Sequence, residues 1–306
     1  MHDVIIIGAG PAGYTAGIYC SRARHDTLLI SGILPGGQLM NTTDVENYPG
    51  FSDGIMGPDL MTVMRKQTEK MGTKIIDDEV TSVDFKNRPL KVKTASEEFE
   101  ARAVIVCTGA NPRKIGLDGE QTFAGKGVSY CATCDGAFFR DQEIMVVGGG
   151  DSAMEEAIFL TRFASKVTIA HRRDVFRASK VMYDRAVKHP QIEIKTFRQV
   201  SKWLSDESGL TGAVLEDPRD GTTEELAITG AFIAIGHKPI TAFLGEQIET
   251  DEEGYIVPKG HSMTSVSGIF AAGDVVDTRY RQAITAAGMG CAAAMDAERW
   301  LEENIH

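Results

Sequence analysis

Two cysteines, Cys131 and Cys134, are separated by Ala-Thr and followed directly by Asp135. A pair at this spacing can supply half of a zinc site, form a structural disulfide, or exchange electrons with another disulfide. Zinc needs further thiolate or imidazole ligands at motif spacing, and the sequence has no second C-x-x-C and no C-x-x-H segment. A structural disulfide closing so short a loop would be unusual in a cytoplasmic protein. The sequence therefore favours a redox pair and predicts no metal site.

Thiol–disulfide exchange needs an attacking thiolate and a proton donor for the departing thiol. Asp135 adjoins Cys134 and is the candidate for this acid/base role. The alternative is that Asp135 only caps a turn, as aspartates often do. The candidate catalytic residues are thus Cys131, Cys134 and Asp135.

Two glycine-rich turns flank the dithiol along the chain, and each follows a short apolar run typical of a buried strand. Such a turn lets the backbone approach a pyrophosphate, which the free N–H groups and the dipole of the following helix can bind. The sequence therefore predicts two dinucleotide sites. The first glycine turn comprises Gly8, Gly10, Pro11, Ala12 and Gly13, and the second comprises Gly148, Gly149, Gly150, Asp151, Ser152 and Ala153.

The strand after the second glycine turn ends in a basic segment. NAD-binding proteins place an acid about 20 residues beyond the turn, where it holds the ribose hydroxyls. Here Val167–Ala170 is followed by His171, Arg172 and Arg173, with Arg177 shortly after them. Three guanidinium groups suit the 2′-phosphate of NADPH, which they can bind through paired hydrogen bonds. The alternative is a solvated basic turn.

The matching strand of the first site, Thr27–Ile30, ends at Ser31-Gly32 and offers neither an acid nor an arginine. A second backbone-rich loop, Gly36–Leu39, could lie along a larger cofactor. A tightly held flavin therefore fits this site better than an exchangeable nicotinamide. Asp274 follows an apolar strand near the C-terminus and is the predicted acid of this domain.

The expected fold is α/β, with two Rossmann-like dinucleotide-binding domains, the second inserted into the first. Two apolar strands that end in glycine are each followed by a proline, Pro112 or Pro239, and these segments predict the crossings between domains. Hairpin signals at Lys86–Pro89 and Asp217–Gly221 predict an antiparallel β meander in each domain. The tail is expected to complete the first domain with a helix from about Arg281 to Leu301. The predicted segments are 1–112 (flavin domain), 113–239 (NADPH domain with the dithiol) and 240–306 (flavin domain).

Composition and charge exclude several functional classes. The 306 residues are 42% hydrophobic and 25% charged, as in a globular protein long enough for two domains. The net charge of −11 disfavours a nucleic-acid partner, because phosphate contact needs a basic surface.

Cysteine usage and the N-terminus bear on the compartment. Five cysteines do not form a disulfide scaffold in a chain of this size, and Cys20, Cys107 and Cys291 are predicted to be buried packing residues. The apolar start, Val4–Ile7, lacks a preceding Lys or Arg and is interrupted by glycines, so it predicts a strand and not a signal sequence. No apolar run is long enough to span a membrane, and a soluble, cytoplasmic protein is expected.

These motifs together resemble those of the low-molecular-weight, NADPH-dependent thioredoxin reductases, a flavoprotein family of the class II pyridine nucleotide-disulfide oxidoreductases. The resemblance extends over essentially the whole chain. It rests on both glycine turns, on Gly37–Leu39, Val45–Gly50, Cys131–Gly136, His171–Arg177, Gly273-Asp274 and Arg281–Ala283. One local departure is Asp151-Ser152, where other members have Asn-Thr, and both pairs are small and polar.

The resemblance implies FAD in the first site, NADPH in the second, thioredoxin as the protein substrate and a homodimer. It implies that Cys134 faces the flavin, that Cys131 attacks the thioredoxin disulfide and that Asp135 is the acid/base. The implied FAD-binding residues are Gly8, Gly10, Pro11, Ala12, Gly13, Gly37, Gln38, Leu39, Asn47, Val80, Thr108, Gly109, Gly273, Asp274, Arg281, Gln282 and Ala283. The implied NADPH-binding residues are Gly148, Gly149, Gly150, Asp151, Ser152, Ala153, His171, Arg172, Arg173, Arg177, Ile235 and Gly236.

This layout carries a geometric requirement. The dithiol belongs to the NADPH domain, yet it must reach the flavin of the other domain and then a protein disulfide outside. Nicotinamide and dithiol cannot occupy one flavin face together. The inserted domain is therefore expected to rotate between hydride delivery and thiol exposure, as the family is understood to do.

Other functions remain open at this point. A related flavoprotein could use the same residues to reduce another small redox protein. A non-catalytic NADPH-sensing regulator would keep the nucleotide folds but would need no dithiol. A ferredoxin–NADP reductase of similar fold would lack Cys131 and Cys134.

Overall fold

The computed structural model describes residues 1–32, 35–42, 44–207 and 209–304. The chain divides into two compact units. The first unit is Met1–Asn111 together with Lys238–His306, and the second unit is Pro112–His237. The chain thus leaves the first unit and returns to it once. Ile305 and His306, the end of the predicted segment 240–306, lie outside the described residues.

The N-terminal part of the first unit forms one sheet flanked by helices. The elements are β1 (His2–Ile7), α1 (Pro11–Arg22), β2 (Thr27–Ile30), β3 (Asp44–Val45), β4 (Ile55–Met56), α2 (Gly57–Lys70), β5 (Lys74–Ile76), β6 (Val80–Asp84), β7 (Leu90–Thr94), β8 (Glu98–Val106) and β9 (Ala110–Pro112). The strand order of the sheet is β5-β2-β1-β8-β7-β6, parallel from β5 to β8 and antiparallel from β8 to β6. The predicted hairpin at Lys86–Pro89 is confirmed, since it joins β6 to β7.

The second unit repeats this plan. Its elements are β10 (Val128–Ser129), α3 (Ala132–Asp135), β11 (Glu143–Val147), α4 (Asp151–Leu160), β12 (Lys166–His171), α5 (Lys180–Lys188), β13 (Ile192–Thr196), β14 (Gln199–Asp206), β15 (Gly209–Glu216), β16 (Thr223–Ala227) and β17 (Gly230–Ile233). They form a parallel sheet in the order β10-β17-β11-β12-β13 and a separate antiparallel sheet in the order β14-β15-β16. The predicted hairpin at Asp217–Gly221 is confirmed, since it joins β15 to β16.

The C-terminal part contributes β18 (His237–Pro239), β19 (Ile269–Ala271) and α6 (Ala283–Asn304). The tail completes the first unit, as expected, because β19 pairs in parallel with the end of β8. The two strands at the crossings, β9 and β18, pair with each other, and each ends in its proline. Within the described ranges, no helix combines the length and apolar character needed to cross a membrane.

The residues of β1 show how each sheet separates two hydrophobic layers. Successive strand side chains point to opposite faces. Val4 and Ile6 join the core formed with α1, α2 and α6, whereas Ile5 and Ile7 join the core formed with the meander. In the second unit Ile144 and Val146 of β11 face α4 and α5, and Met145 faces the antiparallel sheet. The predicted fold class, two Rossmann-like domains with one inserted into the other, is confirmed.

Helices α1 and α6 pack in close contact. A Cβ added at Gly290 would lie 2.1 Å from the carbonyl oxygen of Ala12, so only glycine permits this approach. Cys20 and Cys107 are buried, as predicted, but the prediction for Cys291 was wrong, since its side chain is partly exposed. Cys291 is the next residue after Gly290, and successive residues of a helix are rotated by about 100°. The Cys291 side chain therefore points away from the face of α6 that packs on α1.

Candidate redox centre and nucleotide sites

Cys131 and Cys134 form a disulfide whose Cα atoms are 5.3 Å apart. Cys131 precedes the short helix α3, and its carbonyl oxygen accepts hydrogen bonds from the N–H groups of Cys134 and Asp135 at 3.3 and 3.1 Å. Cys131 is half-buried and Cys134 is exposed. The helical turn thus brings both sulfurs of the predicted dithiol into bonding contact.

Asp135 lies beside the disulfide with a carboxylate that is mostly withdrawn from water. The Ser129 hydroxyl donates to Asp135 Oδ2 at 2.6 Å, and the Cys131 N–H donates to the same hydroxyl oxygen at 3.1 Å. Burial raises the pKa of Asp135, and the hydrogen bond from Ser129 opposes that rise. A carboxyl with a raised pKa holds its proton closer to neutral pH, as a proton donor for a departing thiol requires.

Two supporting residues escaped the sequence analysis. Ser129 is buried and links Asp135 to the Cys131 backbone. Glu120 is also buried; its carboxylate accepts N–H groups from three consecutive residues, Ile115, Gly116 and Leu117, and the Tyr130 hydroxyl at 2.8 Å. The only sequence signal for Ser129 was a small hydroxyl residue at the end of an apolar run, which is too common to interpret.

The second glycine turn has the geometry of a phosphate-binding turn. A Cβ at Gly148 would lie 2.4 Å from the Ala234 carbonyl oxygen, so this glycine permits close packing of the turn. At Gly150, the residue before α4, no described atom lies within 4 Å of an added Cβ. This open position beside a helix N-terminus fits a pyrophosphate. Ala153, at the last small position, is buried against the turn, while Asp151 and Ser152 are exposed in the first turn of α4.

The basic segment after β12 is attached directly to this turn. The N–H groups of Arg177 and Ala178 donate to the Gly149 carbonyl oxygen at 2.8 and 3.1 Å. The Ser179 N–H donates to Asp151 Oδ1 at 2.7 Å. The sequence-predicted residues on either side of β12 therefore meet in the structure.

The four basic residues differ in their surroundings. Arg172, Arg173 and Arg177 are exposed, and within the described ranges their guanidinium groups form no ion pair. His171 is half-buried, and its burial, reinforced by the three arginines, lowers its pKa. Three unpaired guanidinium groups near one helix N-terminus can hold a phosphate. Ile235 and Gly236 follow β17, next to the Ala234 carbonyl that packs on Gly148.

The first glycine turn follows the same rules. Gly8 has a φ of 108°, and its Cβ would lie 2.4 Å from the Cys107 carbonyl oxygen. A Cβ at Gly13 would lie 1.9 Å from the Gly8 carbonyl oxygen, so this glycine lets α1 pack on β1. At Gly10 an added Cβ would meet no described atom within 4 Å, and Pro11 begins α1. The turn therefore presents an open backbone and a helix N-terminus to a ligand.

Four of the other predicted residues of the first site lie at the same edge of the sheet. Thr108 and Gly109 follow β8, Gly273 and Asp274 follow β19, and both strands run parallel to β1. The carboxyl ends of parallel strands form the crevice in which such folds bind their ligands. Burial raises the pKa of Asp274 to about 6, with a further rise from Asp277 and an opposing effect of Arg281.

Side-chain contacts join the remaining predictions. Asn47 Nδ2 donates to Gln282 Oε1 at 3.4 Å, although the two residues are far apart in sequence. An added Cβ at Gly37 would lie 3.7 Å from the Gly10 Cα, which places the loop with Gln38 and Leu39 beside the glycine turn. Arg281 Nη2 donates to the Tyr255 hydroxyl at 3.2 Å, and Ala283 begins α6. Val80 is buried in β6, and no described contact joins it to the turn.

In the part of the chain that the structure describes, no three His, Cys, Asp or Glu side chains are arranged to hold a metal ion.

Comparison with known proteins supplies relatives over the whole length. A family described as "Pyridine nucleotide-disulphide oxidoreductase" matches residues 2–290. A thioredoxin reductase of Streptomyces clavuligerus is 55% identical over 98% of this chain and 94% of its own length. A bifunctional thioredoxin reductase/thioredoxin of Mycobacterium leprae is 50% identical over 99% of this chain and 67% of its own length. The solved structure of a thioredoxin reductase from Giardia duodenalis is 44% identical, with a TM-score of 0.95 and coverage of 98% of this chain and 99% of that one.

Proposed function

This chain belongs to the pyridine nucleotide-disulphide oxidoreductase family and to its thioredoxin reductases, and from this premise we propose that it uses NADPH and FAD to reduce the disulfide of thioredoxin. The single observation that carries the proposal is the Cys131–Cys134 disulfide, with Cys134 exposed, beside Asp135 in the unit that also holds the basic segment. The M. leprae relative, whose name joins a thioredoxin reductase to a thioredoxin, supports thioredoxin as the partner.

The dithiol chemistry balances without a metal. Reduction of the disulfide takes up two electrons and two protons and gives two thiols. The Cys131 thiolate then attacks one sulfur of the partner disulfide, which forms a mixed disulfide and releases one partner thiolate. The Cys134 thiolate attacks Cys131, which restores the internal disulfide and releases the second partner sulfur. Asp135 supplies a proton to a departing sulfur, a role that its burial and raised pKa support.

The coenzyme preference follows from the basic segment. The guanidinium groups of Arg172, Arg173 and Arg177 are exposed and unpaired among the described residues, and backbone hydrogen bonds hold their segment on the second glycine turn. A 2′-phosphate adds charge that these groups can bind, whereas a ribose hydroxyl gains little from them. We therefore assign NADPH to this site.

The first site fits FAD. Gly10 leaves space for a pyrophosphate, and Asp274 can accept hydrogen bonds from ribose hydroxyls or ligand N–H groups. Asn47 and Gln282, already in contact, supply amide groups for a larger ring system. FAD held by these residues would supply the redox chemistry that links hydride from NADPH to reduction of a disulfide.

Alternation between two domain arrangements completes the proposal. The dithiol and the proposed NADPH site belong to the second unit, and the proposed FAD site belongs to the first. The dithiol and the nicotinamide cannot both lie against the flavin at the same time. The crossings between the units consist of β9 and β18, a short paired ribbon that supports rotation as a hinge.

The proposal includes a homodimer that acts in the cytoplasm. Tyr19 on α1 and Ile284 and Met295 on α6 are large apolar side chains that are 43, 44 and 41% exposed. Exposed apolar side chains on neighbouring helices support contact with a second copy. The free thiols of Cys20 and Cys107 support a reducing compartment.

The test is NADPH-driven reduction of a generic thioredoxin by the wild type, C131S and C134S. Both substitutions should abolish turnover, because each removes one sulfur of the exchange. C131S should still form a long-wavelength absorption shoulder from a thiolate against the flavin, and C134S should not. Turnover by either variant would refute the assignment of the dithiol, and NADPH binding without any thiol chemistry in the wild type would favour a sensor.

A further inference from the structure

The middle glycine of the second turn differs from its neighbours in what it contacts. At Gly148 an added Cβ would meet the backbone of Ala234, and at Gly150 it would meet no described atom within 4 Å. At Gly149 the three nearest atoms all belong to the His171 imidazole, at 2.3, 2.4 and 2.7 Å. The space that a side chain would occupy is therefore filled by a histidine ring from the end of β12.

The imidazole has little room to retreat from this position. Its ring centroid lies 4.6 Å from that of Phe176, which in turn lies 4.9 Å from the Tyr183 ring on α5. In addition, His171 Nε2 is 3.2 Å from the Val175 carbonyl oxygen. A methyl group on residue 149 would have to displace the imidazole against these neighbours.

The same glycine also holds the far end of the basic segment. Its carbonyl oxygen accepts the N–H groups of Arg177 at 2.8 Å and Ala178 at 3.1 Å. Arg172 and Arg173 follow His171 directly in the chain. Gly149 thus meets the segment at both ends. At one end the His171 ring packs where a side chain of residue 149 would lie, and at the other the Gly149 carbonyl oxygen accepts the Arg177 N–H.

We propose that Gly149 is a positioning residue for coenzyme specificity: its lack of a side chain lets His171 close on the turn and so sets the places of Arg172, Arg173 and Arg177. The inference rests on the proposed use of NADPH and adds a cause for its selectivity. The usual reason for a glycine in this turn is access of the backbone to pyrophosphate, which both coenzymes share. A glycine needed for the histidine instead affects only the coenzyme with a 2′-phosphate.

The test compares G149A with G150A in direct binding and in turnover. The φ of neither glycine lies in the left-handed region, so alanine changes the available space and not the backbone strain. Binding of NADP⁺ and of NAD⁺, which share the pyrophosphate and differ only in the 2′-phosphate, is measured by calorimetry, and KM is measured for NADPH and NADH. G149A should weaken NADP⁺ binding and raise the KM for NADPH by roughly tenfold to a hundredfold, the cost of one misplaced charge-assisted hydrogen bond. The loss of NAD⁺ affinity and the rise in the KM for NADH should be smaller than these changes by a factor of about five or more, since no such bond serves NAD⁺ or NADH.

G150A is the matched control, because its methyl group enters the space left for pyrophosphate. It should weaken the binding of NADP⁺ and NAD⁺, and raise the KM for NADPH and NADH, by similar factors. If G149A behaves in the same way as G150A, Gly149 serves the pyrophosphate and the inference is wrong.

A double variant isolates the contact itself. In an H171A background the imidazole is gone, so adding G149A should change NADP⁺ affinity by less than about twofold, the limit for sites that no longer interact. Equal effects of G149A with and without His171 would overturn the inference. If G149A alone fails to fold, restored folding in G149A/H171A supports the same contact and continued failure contradicts it. A wild type that binds NADP⁺ no better than NAD⁺ would overturn the NADPH assignment as well, whereas a preference that G149A leaves intact overturns only this inference.

Discussion

Asp135 experiences two opposing effects on its pKa, and the balance between them is set by one hydroxyl. Burial raises the pKa, and the hydrogen bond from Ser129 lowers it. The carboxyl can therefore hold a proton for the departing sulfur at a higher pH than an exposed aspartate, while Ser129 keeps it from becoming too weak an acid. The same hydroxyl accepts the Cys131 N–H, so the acid and the first sulfur are positioned together.

Replacing Ser129 by alanine should raise the pKa of Asp135 further, because the stabilising hydrogen bond to the carboxylate is lost. The limb of the pH–rate profile on which activity falls with deprotonation of Asp135 should move to higher pH. A group whose pKa is raised by folding contributes stability at low pH and loses it as pH rises through the folded pKa. The decline in unfolding free energy should therefore also extend to higher pH in S129A than in the wild type.

The control is S201A, which removes a hydroxyl that donates to the Val214 carbonyl oxygen in the same unit and, among the described residues, to no carboxylate. Its pH–rate profile should match that of the wild type. An S129A profile that is lower throughout but unshifted would mean that Ser129 only supports the backbone.

At the scale of elements, strand β12 positions the basic segment that follows it beside the second glycine turn. The strand ends at His171, and the following residues turn back to the Gly149 carbonyl. Its position is thus fixed by backbone hydrogen bonds, and its arginine side chains remain free to bind a phosphate. The arginines and the glycine turn are therefore positioned together for one ligand.

The double substitution R172A/R177A should raise the KM for NADPH by roughly a hundredfold or more, because hydrogen bonds to charged groups contribute about 1.5–3 kcal/mol each. The KM for NADH should change little, since no arginine is needed for a ribose hydroxyl. R162A is the matched control, because Arg162 lies over the Phe159 ring at the C-terminal end of α4, away from the turn. An unchanged preference for NADPH in R172A/R177A would refute the coenzyme assignment.

Local patterns in the sequence were sufficient for the strands, turns and motifs, because these depend on neighbouring residues. The hairpins at Lys86–Pro89 and Asp217–Gly221 and the return of the tail were predicted from turn chemistry and apolar runs alone. The contact between Gly149 and His171 could not be predicted from the sequence, since it depends on how the end of β12 packs on the second glycine turn. Cys291 was misassigned for a related reason, as the packed face of α6 is set by α1 and not by local composition.

At the scale of the whole molecule, the division into two units has a functional consequence. The dithiol lies in the second unit, whereas the site assigned to FAD lies in the first. We therefore propose that steady turnover requires the second unit to present its nucleotide and its dithiol to the flavin in succession. The paired strands β9 and β18 are the covalent crossings through which such a motion must pass.

Cross-linking the two units should separate the half-reactions. A bifunctional lysine reagent, with joined peptides mapped by mass spectrometry, would lock molecules in one arrangement, and a monofunctional analogue provides the control. In molecules locked with the dithiol at the flavin, electron transfer from reduced flavin to the disulfide should persist, while steady-state reduction of thioredoxin should cease. Full turnover in the locked enzyme would refute the rotation.

The most direct measurement of the central claim is an anaerobic titration of the holoenzyme with NADPH in which accessible thiols are counted. If electrons leave through Cys131 and Cys134, two new thiols per enzyme should have appeared once the two equivalents of NADPH that reduce FAD and the disulfide are consumed, and none should appear in the C131S/C134S double variant. The buried thiols of Cys20 and Cys107 and the partly exposed Cys291 contribute a constant background in both proteins. Oxidation of NADPH with no increase in thiols, or an equal increase in the double variant, would contradict the account.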